Sequence, residues 1–575
     1  MSHILLTLKS PKSASVIAAI LIALATLLVF LPAVDNGFVS WDDATNLVDN
    51  PYFRGFTKVH LKWIWTNHLL SHYVPLTWMS FALDYRIWGR EARGYHLTNV
   101  LLHSFNAGLF YLLSLTLLRR CVPTKAFSST GALLPGAVFA ALLFSLHPLR
   151  VESVAWVTER RDVLSGFFLL LALLAYLRAS APGPAQPTQS KYYLACFAFF
   201  VLAILSKEIA VVLPAILLLL DVYPLKRLGG GAGRWFGPSV RWVWLEKIPF
   251  FAVALADAAM TLHVGAQQNL LPSVGKFGWI PRIAITVYAM AFYLLKTLIP
   301  TNLSPLYPLT PHNTGLTVPV AISLAVVLSI TFAAIVLRRR FPALLVIWLS
   351  FAVTLLPVSG IFQAGAQVAA DRYTYLSCMG WALLAGAAFA WCWHALDSSW
   401  GRGLIALVGL LVLVTLSGLT RAQIRIWQDS DTLWSRAVSV EPSAVACENL
   451  GSSLFTEGDV VGAMDQFRQA IALKPQDAIA HVGMGMALLD LRRWDEAAGE
   501  LRLASELMPS LAQAHNGLGN ILAVQGKIDE AIAEFQQAVT IRPDNRIFQK
   551  NLERALAMKV HPEQRNAWDA SRQPR

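Results

Sequence analysis

From Ala14 to Val34 the chain carries no charged residue, and ten further apolar stretches follow before residue 421. A run of ~17–20 apolar residues is long enough to cross the hydrocarbon core of a bilayer as a helix. In lipid the backbone has to satisfy its own hydrogen bonds, so a chain with many such runs has little choice but to be a bundle of helices. Approximate span cores fall at 14–34, 97–118, 131–146, 162–178, 192–206, 208–220, 281–298, 317–337, 342–356, 376–394 and 403–420. A twelfth stretch, 248–262, is short and carries Asp257, and is expected to be re-entrant or to lie at the surface. The first span follows Lys9 and Lys12, exceeds a signal-peptide core in length and lacks a small-residue cleavage site, so it is expected to remain as a span.

Charge supports the same class. Only 14% of residues are charged, against ~25% in soluble domains. The net charge of +12 does not mark a nucleic-acid partner, because the basic residues sit between apolar spans, at Lys9/Lys12, Arg119/Arg120/Lys125, Lys226/Arg227/Arg234/Arg241 and Arg338/Arg339/Arg340. That is the distribution of cytoplasmic loops in a membrane protein. Eleven spans, with the N-terminus inside, put the loop 35–96 and residues 421–575 on the opposite side. The five cysteines, Cys121, Cys196, Cys378, Cys392 and Cys447, show no paired spacing and imply neither a disulfide framework nor a thiolate metal site.

Past the last span the character changes. Prolines at Pro442, Pro475, Pro509 and Pro543 recur every 33 to 34 residues, the period of a helical-hairpin array. Full repeats are expected at 444–477, 478–511 and 512–545, after a half repeat at 431–443 with Trp434 and Ala437. A capping helix follows at 546–558 and a polar, disordered tail at 561–575. Small residues recur at Gly451/Gly485/Gly519, Ala463/Ala497/Ala531 and Ala470/Ala504/Ala538, where two helices of a hairpin approach. Large apolar residues at Leu450/Met484/Leu518 and Phe467/Leu501/Phe535 fill the space between hairpins. Spacing and residue size together resemble the tetratricopeptide repeat family. The expected organisation is a membrane domain over 1–425 and a repeat domain over 426–560.

Ionisable residues close to bilayer spans are costly and commonly functional. Four segments carry them: WDD at Trp41–Asp43, HPLRVESVAW at His147–Trp156 with the TERRD run behind it, SKE at Ser206–Glu208, and DRYTYL at Asp371–Leu376. Adjacent carboxylates Asp42 and Asp43 can supply a general base, hold a divalent cation such as Mg2+ or Mn2+, or merely cap a helix. His147, Glu152, Arg160 and Arg161 either pair among themselves and with headgroups or meet a charged ligand. Lys207 and Glu208, inside an apolar run, are either an internal ion pair or a phosphate contact. Arg372 is either an interfacial anchor or a bidentate phosphate ligand.

In their order these motifs, with YLLKTLIPTNLSPLYP at Tyr293–Pro308, LPVSGIF at Leu356–Phe362 and RIWQDSDTLWSRA leading into the repeats, resemble the TPR-containing transmembrane O-mannosyltransferases. That family belongs to the GT-C glycosyltransferases, and the resemblance covers nearly the whole chain. It implies an all-helical membrane enzyme that moves a sugar, mannose above others, from a polyprenyl-phosphate donor to an acceptor, with inversion at the anomeric carbon. On this reading Asp42 or Asp43 deprotonates the acceptor hydroxyl. Arg372, with Lys207 or the Arg160/Arg161 pair, neutralises the leaving phosphate, His147 and Glu152 shape the second outer loop around the sugar or donor phosphate, and Glu208 is a further donor-phosphate or substrate-binding candidate. The acceptor is a protein docked on the repeats, or alternatively an envelope lipid or polysaccharide. A third, non-enzymatic reading is a membrane-anchored scaffold. The Ala/Leu/Arg-rich chain suggests a bacterial inner membrane, with site and repeats facing the periplasm. The sequon at Asn302 and the run Gly229–Gly233 are read as unused and as a turn.

Overall fold

Apolar side chains and self-satisfied backbone amides turn the long runs into helices, and the charged motifs fall where those helices break. The computed structural model describes residues 11–70, 72–121, 133–180, 189–229, 235–238, 240–267, 278–361, 367–396 and 398–561. The polar tail beyond His561, Gly230–Gly233 of the glycine run, Phe362 of the LPVSGIF motif, and Lys9, Lys125 and Arg234 lie outside these residues. The chain divides into two units, Met1–Asp429 and Ser430–Arg575.

The first unit is built on α1 (Pro11–Phe30), α2 (Ala92–Cys121), α3 (Leu133–Ser145), α4 (Arg160–Ala179), α5 (Ser190–Ile204), α6 (Leu213–Val222), α7 (Ile248–Gln267), α8 (Trp279–Leu298), α9 (Val318–Leu337), α10 (Pro342–Leu355), α11 (Met379–Ala395) and α12 (Ser399–Ile426). Two shorter helices, Lys58–Thr66 and Pro75–Trp88, fold over the loop between α1 and α2. A two-stranded antiparallel ribbon pairs β1 (Tyr307–Pro308) with β2 (Gln367–Ala369). Six helical segments are long and apolar enough to cross a membrane, and up to eight if each of two bent pairs is one span. The expected eleven is therefore an approximate count.

Two expectations change. The stretch 248–262 is no fold-back: it lies inside the unbroken α7, which with the turn before it qualifies by length and composition as a span. Asp257 is accommodated because it is buried on the protein side of that helix. Conversely, 208–220 is not one helix. Glu208–Val212 is a tight 3-10 turn and the helix restarts at Leu213, with Pro214 in its first turn where a missing N–H costs nothing.

Both bends occur at signature motifs. Leu133–Ser145 and Pro148–Ala155 meet at 56°, as do Asp371–Ser377 and Met379–Ala395. His147 starts the first break, its Nδ1 accepting from the Leu149 amide at 3.3 Å while Pro148 opens the next turn.

Helix α3 crosses α11 through small residues. A Cβ added to Gly386 would lie 2.5 Å from the Gly136 carbonyl oxygen and 2.6 Å from Ala140 Cβ, and one on Gly136 would meet Gly386 and Ala390 in the same way. The reciprocal Gly-xxx-Ala pairs let two backbones touch where lipid gives no hydrophobic drive to helix association. Gly386→Ala is expected to lower the thermal stability of the protein in nanodiscs by about 1–3 kcal/mol, since backbone cannot step aside. Gly403→Ala, with nothing within 4 Å of its added Cβ, is the neutral control.

The second unit is a helical-hairpin array: α13 (Ser430–Val440), the pairs α14/α15 (Ala444–Glu457, Val460–Leu473), α16/α17 (Ala478–Asp490, Trp494–Leu507) and α18/α19 (Ala512–Val524, Ile528–Ile541), then α20 (Arg546–Val560). The large residues pack on the glycines of the partner helix: added Cβ atoms on Gly451, Gly485 and Gly519 would come within 2.8 Å of Phe467, 2.7 Å of Leu501 and 2.7 Å of Phe535. One repeating contact went unread in the sequence. His481 and His515 donate through Nε2 to the carbonyls of Pro475 and Pro509, and Gln549 donates to Pro543, so these three proline turns are tied to the helix after them.

Candidate active site

The face of α2 that points into the protein is polar at a helical spacing: His96, Asn99, His103 and Asn106 are all buried. Asn99 Nδ2 donates to the carbonyls of Val154 and Trp156 at 3.2 Å each. Asn106 donates to the Val163 carbonyl and to Tyr375 Oη, while His103 bonds Tyr375 Oη and the Ser145 carbonyl. One helix thereby fixes both bent motifs, 147–162 and 371–377, against each other. The spacing 96, 99, 103, 106 was visible within an apolar run, but its partners were not.

On this frame the four charged segments meet. Lys207 Nζ donates to Glu159 Oε2 at 2.7 Å and Asp162 Oδ1 at 2.8 Å. Arg161 Nη2 donates to Glu159 Oε1 at 2.6 Å. Glu152 takes the Arg372 backbone amide at 2.9 Å and the Arg372 guanidinium on its other oxygen, and Arg372 Nε lies 3.5 Å from Glu159. The cluster is closed by Ser153 on Asp162 and by Tyr307 Oη on Asp371. Charges this far from water are tolerable only as satisfied pairs.

The two aspartates differ sharply. Asp43 is fully buried, with Oδ1 accepting from the Thr158 amide at 3.0 Å and hydroxyl at 2.6 Å and Oδ2 from the Val39 amide at 3.2 Å. Burial nevertheless pushes its carboxyl up to about 6. Asp42 is half-buried and accepts no hydrogen bond from the described residues. Burial raises its pKa as well, opposed by the nearby Arg161 and Arg372 guanidinium groups and by His72, and assisted by Glu159. Arg161 Nε, for its part, is buried without a hydrogen-bond partner. Among the described residues, a carboxylate that accepts no hydrogen bond and a guanidinium N–H without a partner thus belong to one charged neighbourhood. Asp43→Asn is expected to cost about 1–3 kcal/mol of stability, because one carboxylate oxygen becomes an NH2 facing amide or hydroxyl donors; thermal melts in nanodiscs read it.

Other candidate residues stand elsewhere. Arg160 follows Glu159 but points away from Arg161, since neighbours on a helix diverge by about 100°. It is enclosed by Asp84 and the Tyr95 carbonyl at 2.7 Å each, with Ser80 and Asn99, so it is set apart from the pocket. Glu208 accepts from His72 Nδ1 at 3.2 Å and the Tyr73 amide at 3.1 Å, tying down the loop before Pro75. His147 donates to the Thr297 carbonyl at 3.1 Å. It lines, with Arg150, a largely apolar cavity of about 1030 Å3 walled also by residues such as Phe139, Leu295, Ile322 and Trp381. Arg150 is anchored on Thr374 by its carbonyl at 2.6 Å and its hydroxyl at 2.7 Å. Among the described residues no group of three or more His, Cys, Asp or Glu side chains can hold a metal ion.

Fold and site together define a polytopic helical membrane protein that carries a buried ion cluster beside one free carboxylate, followed by a tetratricopeptide array. The tetratricopeptide repeat profile matches residues 482–546. The chain is 26% identical to the protein O-mannosyl-transferase Tmtc3 of Drosophila melanogaster, over 83% of this chain and 57% of that protein. The human protein O-mannosyl-transferases TMTC3 and TMTC1 are each 26% identical, over 80% and 82% of this chain and 52% and 57% of their own lengths. The relatives of this chain are thus O-mannosyl-transferases, as the ordered motifs implied, and it spans about half their length. Among solved structures the Arabidopsis OM64 TPR domain aligns over 20% of this chain and 93% of its own, at 19% identity and a TM-score of 0.19.

Proposed function

We propose that this chain transfers mannose from a polyprenyl-phosphate donor to Ser or Thr hydroxyls of protein, with inversion. Asp42 takes the proton of the acceptor hydroxyl, whose oxygen attacks the anomeric carbon as the bond from that carbon to the phosphate oxygen breaks. Arg161 and Arg372 receive the polyprenyl phosphate that leaves, and the apolar cavity lined in part by His147 and Arg150 suits its isoprenoid chain. The observation that carries the reading is that Asp42 accepts no hydrogen bond from the described residues while it interacts with guanidinium groups paired to Glu152 and Glu159. Positioned charge of this kind is what inverting displacement at a phosphate-activated centre needs. The repeats present the acceptor polypeptide, as concave helical arrays do. Site and repeats are assigned to the periplasmic face of a bacterial inner membrane.

The test is transfer in nanodiscs from radiolabelled polyprenyl-phosphate mannose, with polyprenyl-phosphate glucose as competitor and an envelope extract as acceptor. Label on protein supports the proposal. Label on lipid or glycan moves the acceptor to the envelope, and no consumption of either donor leaves a membrane-anchored scaffold.

A further inference from the structure

Three tryptophans sit in the motifs around the site: Trp41 before Asp42, Trp156 closing HPLRVESVAW, and Trp427 inside RIWQDSDTLW. They form one column. The rings of Trp41 and Trp156 are 5.0 Å apart at 30°, and those of Trp156 and Trp427 are 5.7 Å apart at 27°. The Arg372 guanidinium carbon stands 5.5 Å from the centre of the same Trp156 ring. Trp156 and Trp427 are each 1% exposed, and neither indole N–H has a hydrogen-bond partner among the described residues. Their backbones are hydrogen-bonded, but their rings are held by ring contact.

The loop that bears Asp42 leans on the same support. Asn36 Nδ2 donates to the Ile424 carbonyl at 3.3 Å, the Gly37 amide to the Gln428 carbonyl at 2.8 Å, and His96 Nε2 to the Gly37 carbonyl at 3.2 Å. Trp156 is thus the ring that both functional edges share: Trp41 and the base on one, the Arg372 cation on the other.

From this geometry we infer that Trp156 is a positioning residue for transfer, setting the spacing between Asp42 and Arg372, with Trp427 as its backing. The inference rests on the transferase reading above. The contact to Arg372 draws on the ring's quadrupole, which phenylalanine retains and leucine does not. The cost of losing it falls on the chemical step, because a misplacement of about 1 Å between reacting groups lowers turnover by about a hundredfold.

The experiment compares Trp156→Leu, Trp156→Phe and Trp427→Leu in the full chain in nanodiscs, with polyprenyl-phosphate mannose and an envelope extract, alongside hydrogen exchange of the amides of residues 37–43. Trp156→Leu is expected to lose about a hundredfold in kcat while the donor KM stays within about threefold, and Trp156→Phe to recover most of the loss. Trp427→Leu is expected to show the same pattern more weakly. Exchange at 37–43 rises in Trp156→Leu and not in Trp156→Phe. Unchanged exchange in Trp156→Leu, unchanged kcat, or a loss that Trp156→Phe does not restore overturns the inference. If wild type transfers nothing, the transferase reading fails by itself, and the exchange experiment still decides whether Trp156 holds the loop.

Discussion

Asp42→Asn is expected to abolish transfer, with a loss of about a thousandfold or more in kcat, while the protein still folds and inserts. General-base catalysis is worth about 10²–10⁴-fold, and among the described residues the other carboxylates of the cluster are already engaged. Asp43 is saturated by Thr158 and Val39, Glu152 and Glu159 by Arg372, Arg161 and Lys207. The pH profile gives an independent check. A base works only when ionised, and burial holds the Asp42 carboxyl above its ordinary range. The rate therefore falls as pH drops through a midpoint above ~4, the value for an unperturbed aspartate. Asp43 titrates at about 6 in its buried site, so the limb has two candidate owners. Persistence of the acid limb in Asp43→Asn assigns it to Asp42, and its disappearance gives it to Asp43. Survival of transfer in Asp42→Asn removes the base from the mechanism altogether.

Lys207→Met is expected to destabilise the membrane unit by about 3–5 kcal/mol, the cost of leaving buried charge uncompensated. Lys207 is the only described partner joining Glu159 to Asp162, and without it two carboxylates face each other away from water. Lys207→Arg, which keeps the charge, is expected to recover part of the loss. Thermal unfolding in nanodiscs measures both. If Lys207→Met melts like the wild type but binds the donor poorly, the lysine serves the phosphate and not the ion cluster, and the two meanings of the SKE motif are separated.

Much of the architecture lay open in the order of residues. Apolar runs, the 33-to-34-residue proline period and the glycine and alanine positions of the hairpins depend on residues near one another in the chain, and they reappear as helices α1–α12 and α13–α20. The charged motifs were also legible, since lipid makes any ionisable residue conspicuous. Which residue pairs with which was not. Sequence could not separate Asp42 from Asp43, because the difference is Thr158, 115 residues away along the chain for Asp43. Arg160 and Arg161 look alike as a pair, yet the rotation of about 100° between helix neighbours sends them to Asp84 and to Glu159. His72 carried no signal of its own, and neither the partners of Asn99 nor the stacking of the three tryptophans could be read until the fold gave them neighbours.

What the sequence determined by itself was therefore whatever hydrophobic periodicity and local spacing encode: helices, repeats and the presence of a costly ionic centre. Tertiary structure alone decided which of its charges are consumed in holding one another and which remain free. Pairing buried charges is a contest among groups brought together by packing, and its outcome depends on distances that no stretch of chain contains.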